Sequence, residues 1–259
     1  MNKVNLEIAA RNIIGLGEET ASKRMHEVAE LKKAKEITRE DILDIHRKTD
    51  NLVERGELIQ ELGAHRYTVY KASENALYLD LAICYAVARH AGQYRKGTHR
   101  SYITHPLEVM NILVNMDAYV GLQIAGVLHD TVEDTDATIE EIAKLFGDDV
   151  AEYIASISED KSKSWDERKS HSIKSIAGAN DKVKMLIMAD KLSNLRSMAC
   201  DYGLVGERMW ERFNAPKEKL AWYYSEMAIA LQDMQNNKSA KSAYQEMVDL
   251  VNVLFGKRV

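Results

Sequence analysis

The sequence predicts an all-α fold, and three observations lead to that prediction. Only two of the 259 residues are proline, so long helices can run without the residue that most often breaks them. From about residue 74, apolar side chains recur at helical spacing, as Leu77, Leu81 and Ala88 do on one face of a single helix. Strand-like composition is confined to residues 66–70, which we interpret as a short extended segment or an irregular helix.

The composition excludes several classes of protein. Hydrophobic residues make up 46% and charged residues 29% of the chain, which are ordinary globular values and argue against disorder. Two cysteines are too few for a disulfide scaffold or a cysteine-rich zinc site. No apolar run approaches the roughly 20 residues of a membrane span, and the N-terminus lacks the apolar core of a secretory signal. We therefore expect a cytoplasmic protein, and the net charge of −5 argues against an extended nucleic-acid footprint.

Residues 1–72 are predicted to form an N-terminal, mainly helical extension. The segment is highly charged and only weakly periodic, and residues 38–41 have the capping-box pattern that is typical of a helix start. Two roles stay open for it. It is either an appendage that packs over the main domain or an arm that binds a partner or a second copy, so a homo-oligomer is one expected assembly.

Residues 73–259 are predicted to form one helical domain. After a first helix from about residue 74, Pro106 is placed to open the next helix at its first position. A mostly apolar helix follows over residues 122–132. The next helix has Thr138 as its N-cap and ends near Gly147.

Three more helices complete the predicted domain. Residues 183–195 are apolar enough for a buried helix, Pro216 opens another, and the last runs from about residue 240 to residue 254. The chain shows no internal repeat and no low-complexity linker, which indicates one domain with an appendage.

A cluster of titratable residues follows the apolar part of the third helix. In the segment HDTVEDT (residues 129–135), His129 and Glu133 are four positions apart, as are Asp130 and Asp134, so a helix would put each pair on one face. Burying unpartnered carboxylates is costly, whereas a cation would offset their mutual repulsion. The alternative is an acidic helix end in water.

Two distant residues extend this cluster. His105 lies at a predicted helix entrance, and Asp190 interrupts an apolar run. Each has an ordinary explanation alone, because a lone histidine is often structural and a buried aspartate can pair with lysine or arginine. Together with His129 and Asp130 they form an ordered set of two imidazoles and two carboxylates.

This ordered set resembles the HD-domain metal-dependent phosphohydrolases, whose signature is His, then His-Asp, then Asp. The segments HDTVEDT (residues 129–135) and ADKLSNL (residues 189–195), with Arg95-Lys96 upstream, are similar to the hydrolase domain of RelA/SpoT-type alarmone enzymes. The resemblance covers roughly residues 75–235. The chain has no room for the synthetase and regulatory domains, so the stand-alone small alarmone hydrolases are the most similar type.

The resemblance implies an HD-domain helical bundle with a Mn²⁺ site, for which another divalent cation is the alternative. Nitrogen and oxygen ligands suit such ions, and a bound cation lowers the pKa of its water. Glu133 and Asp134 match the family's catalytic acidic pair, which orients and deprotonates the attacking water. The implied metal ligands are His105, His129, Asp130 and Asp190.

The resemblance also implies nucleotide contacts. Residues 82–106 contain no acidic residue, but they do contain Arg95 and Lys96, which match a nucleotide-contacting pair of the family. Asn194 matches another nucleotide-contacting position. Lys219 and Tyr223 are similar to a basic–tyrosine pair that holds ribose and phosphate.

The leading hypothesis is Mn²⁺-dependent hydrolysis of the 3′-pyrophosphate of ppGpp and pppGpp, which yields GDP or GTP and pyrophosphate. One alternative keeps the fold and metal site but changes the substrate to an adenosine alarmone, NADPH or pyrophosphate on a tRNA 3′ end, with an antitoxin role. Another is a regulatory protein that binds a partner through its N-terminal extension.

Overall fold

The computed structural model describes residues 74–256 and residue 259. The predicted extension over residues 1–72, including the strand-like stretch 66–70, lies outside the described residues. Within them the fold is all-α, which confirms the predicted class, and extended pairing is limited to a single bridge between Tyr94 and Ser101. None of the helices between residues 74 and 256 combines the length and apolar character that a membrane-spanning segment needs.

The helices follow one another with short connections. In chain order they are α1 (Glu74–Arg89), α2 (Thr104–Asn115), α3 (Val120–Leu128), α4 (Thr131–Asp134), α5 (Ile139–Phe146), α6 (Asp148–Ile157), α7 (Trp165–Ile176), α8 (Asp181–Val205), α9 (Lys217–Ala230) and α10 (Lys241–Phe255). Two 3₁₀ segments, Gly206–Arg212 and Gln232–Asn236, flank α9.

The long helix α8 lies at the centre of the packing. It contacts α2 and α10 extensively and also meets α3 and α6, while α3 packs between α1 and α2. The middle of α8 is enclosed by these neighbours, with Leu186, Met188, Ala189 and Leu192 fully buried. A polar side chain on this part of α8 therefore faces the protein interior and needs a partner there.

Helix α3 is shorter than the sequence predicted. It ends at Leu128, and a turn separates it from the single-turn helix α4. The hydroxyl of Thr131 donates to the Leu128 carbonyl at 2.6 Å, and the Nδ1 atom of His129 lies 2.8 Å from the Gly126 carbonyl. These two side chains form hydrogen bonds with main-chain carbonyls at the end of α3 and interrupt the helix there. His129 and Glu133 therefore do not lie on one continuous helix.

Both prolines lie at helix starts, as predicted, although Pro106 is not at the first position of its helix. Pro106 is the third residue of α2, and Pro216 directly precedes α9 as its cap. Amide groups of the first turn have no partner within the helix, so proline is tolerated there. The caps of α5 match their prediction, since Thr138 accepts from the amide of Glu141 at 3.2 Å and Gly147 ends the helix with a φ of 103°.

Gly126 allows α2 and α3 to approach closely. A Cβ atom at this buried position would lie 2.5 Å from Cδ1 of Leu113 and 3.4 Å from Cγ1 of Val109. We predict that Gly126→Ala lowers the free energy of unfolding by about 1–3 kcal/mol because the packed core must shift. Urea unfolding measures the change.

The matched control is Gly203→Ala on the exposed side of α8, where a Cβ atom would meet nothing within 4 Å. This variant is expected to be neutral or more stable by up to about 1 kcal/mol, because alanine favours helix over glycine. Equal stability of the Gly126→Ala and wild-type proteins would contradict the close-packing account.

Candidate active site

One cavity of about 370 Å³ is lined by the four predicted metal ligands and by the acidic pair that the sequence singled out. His105 reaches it from α2, His129 and Asp130 from the turn after α3, and Asp190 from the buried middle of α8. Both imidazoles and Asp190 are buried, and Asp130 is partly buried. The four side chains therefore meet because α8 packs across α2 and α3.

The polar atoms of these four residues converge within a few ångströms. The Nε2 atom of His105 lies 3.4 Å from Oδ2 of Asp130 and 3.3 Å from Oδ1 of Asp190. The Nε2 atom of His129 lies 3.1 Å and 3.9 Å from the same two oxygens. Ligand atoms of His105, His129 and Asp130 all fall within 4.8 Å of one another, which is close enough to surround one ion.

The chemistry of this cluster fits a divalent cation. The buried Nε2 atom of His129 has no hydrogen-bond partner among the described residues, although it faces two carboxylates. Two imidazole nitrogens and carboxylate oxygens form a hard-to-borderline donor set, which suits divalent metal ions. A cation at this point would satisfy the free nitrogen and neutralise the carboxylates.

The electrostatics of the cluster show how strongly its charges interact. Burial lowers the pKa of His129, but Asp130 and Asp190 outweigh that effect and raise it to about 9. Burial raises the pKa of Asp130, whereas His129 and His105 hold it well below its usual range. The carboxylates thus stay ionised and available to a cation.

Asp190 has partners on both sides. One oxygen accepts from the Lys191 ammonium, and the other accepts from the amide of Asn194 at 2.7 Å. Burial alone would raise the pKa of Asp190. Lys191 and the nearby histidines outweigh burial and hold this pKa below its usual range. Asp190 therefore forms the ion pair with lysine that the sequence allowed, and it also lies close to both imidazoles.

The acidic pair beside the cluster has two distinct environments. Oε1 of Glu133 accepts from the amide of Glu159 at 2.9 Å, and no described residue donates to its other oxygen. One oxygen of Asp134 accepts from Lys161 at 2.6 Å, and the other lies 3.0 Å from the hydroxyl of Tyr102, whose single proton can go to Asp134 or to Asp130 at 2.6 Å. Burial raises the pKa of Glu133, although its bond to the Glu159 amide opposes that rise.

Basic side chains line the rest of the cavity. Around the buried carboxylate of Glu159, the nearest donors are Arg168 at 2.8 Å, Lys169 at 2.7 Å and Ser172 at 3.0 Å. Lys161 also lines the cavity. Burial and the neighbouring Lys191 lower the pKa of Lys169. Such a group of cations can hold phosphate oxygens.

The predicted nucleotide contacts divide between two places. Arg95 and Asn194 both line the cavity, and they are joined by a hydrogen bond of 2.7 Å. Lys96 instead lines an adjoining pocket of about 230 Å³, which also includes Arg95 and Asn194, and it donates to Asn214 at 2.6 Å.

Lys219 and Tyr223 do not line the cavity. Lys219 is half-exposed and pairs with Asp166 at 2.6 Å. Tyr223 is buried behind the basic group, with its ring centre 5.0 Å from the ammonium of Lys169. Their role toward ribose and phosphate stays a prediction.

Three residues of the site were missed by the sequence analysis as site residues. Tyr102 donates to Asp130 at 2.6 Å or to Asp134 at 3.0 Å, Lys191 neutralises Asp190, and Glu159 organises the basic group. Only Lys191 carried a sequence signal, because it directly follows Asp190, for which the sequence allowed a lysine partner. The other two depend on tertiary packing.

Comparisons with known proteins identify a family. Residues 82–205, which include all four residues of the cluster, match the HD domain. The guanosine-3′,5′-bis(diphosphate) 3′-pyrophosphohydrolase MESH1 of Drosophila melanogaster is 39% identical over 118 residues, which are 44% of this chain and 65% of the fly protein. The Homo sapiens protein of the same name is 35% identical over 129 residues, which are 49% of this chain and 72% of the human protein.

Solved structures agree with these matches. A crystal structure of a Listeria monocytogenes protein is 35% identical and superposes with a TM-score of 0.55, covering 60% of this chain and 96% of that protein. A metazoan ortholog of SpoT that hydrolyzes ppGpp is 28% identical with a TM-score of 0.56, covering 66% of this chain and 94% of that chain. The resemblance that the sequence predicted is thereby confirmed, and the chain belongs to the family of small HD-domain alarmone hydrolases.

Proposed function

We propose that the protein hydrolyses the 3′-pyrophosphate of ppGpp and pppGpp, giving GDP or GTP and pyrophosphate. The observation that carries this proposal is the single cavity where two imidazoles and two carboxylates converge beside an acidic pair and a basic group. The relatives that share this domain are named as 3′-pyrophosphohydrolases of the same nucleotide. The cavity volume of about 370 Å³ is in the range of small-molecule sites.

We assign the cation site to His105, His129, Asp130 and Asp190, with Mn²⁺ as the proposed ion. When bound, such a cation makes water acidic enough to supply a nucleophile near neutral pH and polarises a phosphoryl oxygen. The protein holds the two imidazoles with Nε2 directed toward this site and keeps both carboxylates ionised beside them.

Glu133 is the proposed general base. One of its oxygens is fixed by the Glu159 amide, and among the described contacts the other oxygen is free to accept a proton from the attacking water. Burial raises its pKa toward the range in which a carboxylate accepts protons most usefully. As the water attacks the phosphorus next to the ribose, the bond from that phosphorus to the 3′-oxygen breaks and the 3′-oxygen takes up a proton.

Asp134 has a different proposed role because Lys161 lies against one of its oxygens and the Tyr102 hydroxyl against the other. Its contacts with Tyr102 and Lys161 join the acidic pair to the cation cluster on one side and to the basic group on the other. We assign it to orienting the water and holding Lys161 near the phosphates. The Glu133 carbonyl also accepts from Lys161, which fixes this lysine further.

The charge of the cavity supports binding of a polyanion. Five carboxylates and five lysine or arginine side chains line it, so with its histidines counted as neutral its formal charge is balanced until a divalent cation adds two positive charges. Lys161, Arg168 and Lys169 are the proposed phosphate contacts. Arg95 and Asn194 are proposed to hold the nucleoside end, with Lys96 beside them in the adjoining pocket.

The cytoplasm stays the expected compartment, since two cysteines among 259 residues are too few for a disulfide scaffold. A homo-oligomer and a partner-binding role of residues 1–72 stay predictions as well. The alternative substrates share the same chemistry at phosphorus and are distinguished only by turnover.

The substrate assignment is tested with a panel. The full chain with Mn²⁺ is predicted to release pyrophosphate from ppGpp, and separation of nucleotides by chromatography identifies GDP as the other product. Adenosine alarmones, NADPH and a tRNA bearing a 3′ pyrophosphate are assayed in parallel. Clear turnover of one of these without turnover of ppGpp would reassign the substrate.

The cation site is tested with Asp130→Asn, which keeps the shape of the side chain but removes its charge. We expect Mn²⁺ affinity and turnover to fall more than about 100-fold, because losing a ligand should cost more than the 10–100-fold typical of supporting residues. Asp136→Asn is the control, since Asp136 has a side chain 87% exposed and pairs with Arg89 outside the cavity. Unchanged Mn²⁺ affinity in Asp130→Asn would contradict the ligand assignment.

The base is tested with Glu133→Gln. Turnover is expected to fall by about 10²–10⁴-fold while Mn²⁺ affinity stays close to wild type, because the residue acts on the proton and not on the cation. In the wild type, turnover should fall as the pH drops through the raised pKa of Glu133, since the base must be ionised. Glu140→Gln, on the exposed start of α5, is the control, and full turnover of Glu133→Gln would refute the assignment.

A further inference from the structure

We infer that Ser193 and Glu108 are positioning residues for His105, which fix its imidazole so that Nε2 presents a lone pair to the cation site. This inference rests on the proposed function, because it concerns the same cluster. It adds two residues that contact neither the cation nor the nucleotide. Neither residue lies among the side chains that line the main cavity.

A chain of hydrogen bonds runs from His105 away from the cavity. The Nδ1 atom of His105 lies 2.9 Å from the hydroxyl of Ser193, and that hydroxyl lies 3.0 Å from Oε2 of Glu108. Ser193 is only 1% exposed, so water does not replace these contacts. Ser193 contacts Nδ1 of His105, whereas the carboxylates of the cation cluster lie at Nε2 of the same ring.

The direction of these hydrogen bonds follows from the chemistry of the groups. An ionised carboxylate only accepts, so the single proton of the Ser193 hydroxyl is donated to Glu108. The same hydroxyl must then accept from His105, which places a proton on Nδ1. In the neutral imidazole the other nitrogen, Nε2, consequently carries the lone pair that a metal ion requires.

His129 achieves the same orientation by a different means. Its Nδ1 atom donates to the main-chain carbonyl of Gly126 at 2.8 Å, and its Nε2 atom faces the same carboxylates. A main-chain carbonyl always accepts, so the proton position in His129 does not depend on any side chain. In His105 it depends on Ser193, whose hydroxyl can accept or donate unless Glu108 decides its direction.

Glu108 is itself held in place by the C-terminal part of the domain. Arg196 lies 3.5 Å from Glu108 and makes two bonds of 2.6 and 2.7 Å to Glu246 of α10. Glu108, Ser193 and Arg196 line a pocket of about 340 Å³ behind His105, the rear pocket, which His105 also lines. His105 thus lies between the main cavity and the rear pocket. Its Nδ1 atom faces the rear pocket.

The experiment measures Mn²⁺ affinity of the metal-free full chain by calorimetry, with no substrate present. Ser193→Ala removes the acceptor for Nδ1, and we expect the Mn²⁺ dissociation constant to rise about 10- to 100-fold. Ser197→Ala is the matched control, because Ser197 lies one turn further along α8 in the same rear pocket. It should leave the affinity unchanged.

A double-mutant cycle separates positioning from a general loss of structure. Glu108→Ala should weaken Mn²⁺ binding in the wild type but have little further effect in the Ser193→Ala background, because Glu108 acts only through that hydroxyl. Thermal unfolding of each metal-free variant shows that it is folded. Additive effects of Glu108→Ala and Ser193→Ala would argue for two independent structural roles and would overturn the inference.

The outcomes also distinguish this inference from the proposed function. If the wild type binds Mn²⁺ and Ser193→Ala binds it within twofold, the positioning role is wrong and the cation site stands. If the wild type itself binds neither Mn²⁺ nor any other divalent ion, the cation site of the proposed function is wrong.

Discussion

Two buried carboxylates, Asp130 and Asp190, set the constraint on which the rest of this structure depends. Removing ionised groups from water is costly unless they are paired and hydrogen-bonded. The protein meets that cost with two imidazoles between the carboxylates, with Lys191 against Asp190 and with the Tyr102 hydroxyl on Asp130. The termination of α3 and the enclosure of α8 both serve to bring these groups together.

Neighbouring residues of the same charge acquire different chemistry from their surroundings. Glu133 is held at one oxygen and has a raised pKa, whereas Asp134 pairs with Lys161 and has the Tyr102 hydroxyl beside its other oxygen. Environment separates the tasks of paired carboxylates in this way, one able to move a proton and the other holding geometry. The fold produces this difference by packing the loop before α7 against the end of α4.

Much of the fold and the convergence of the cluster was predictable from the sequence. Helical periodicity revealed the helices, and the resemblance of the ordered set His105, His129 and Asp190 to the HD-domain signature linked distant segments. The break after Leu128 was not predictable from apolar periodicity, because side-chain bonds to main-chain carbonyls override it. The partner of Ser193 depends on how α8 crosses α2, and the exposed ion pair of Lys219 depends on how α9 meets α7. Neither contact can be predicted from local sequence patterns.

The balanced charge of the cavity lining has a thermodynamic consequence. A divalent cation and a polyanionic nucleotide that share one enclosure stabilise each other, and linkage requires each to raise the affinity of the other by the same factor. The cation affinity of the nucleotide-free protein is thus a lower bound on its affinity during turnover. In the proposed site, a rise in nucleotide concentration at limiting metal would therefore increase the fraction of protein that holds the cation.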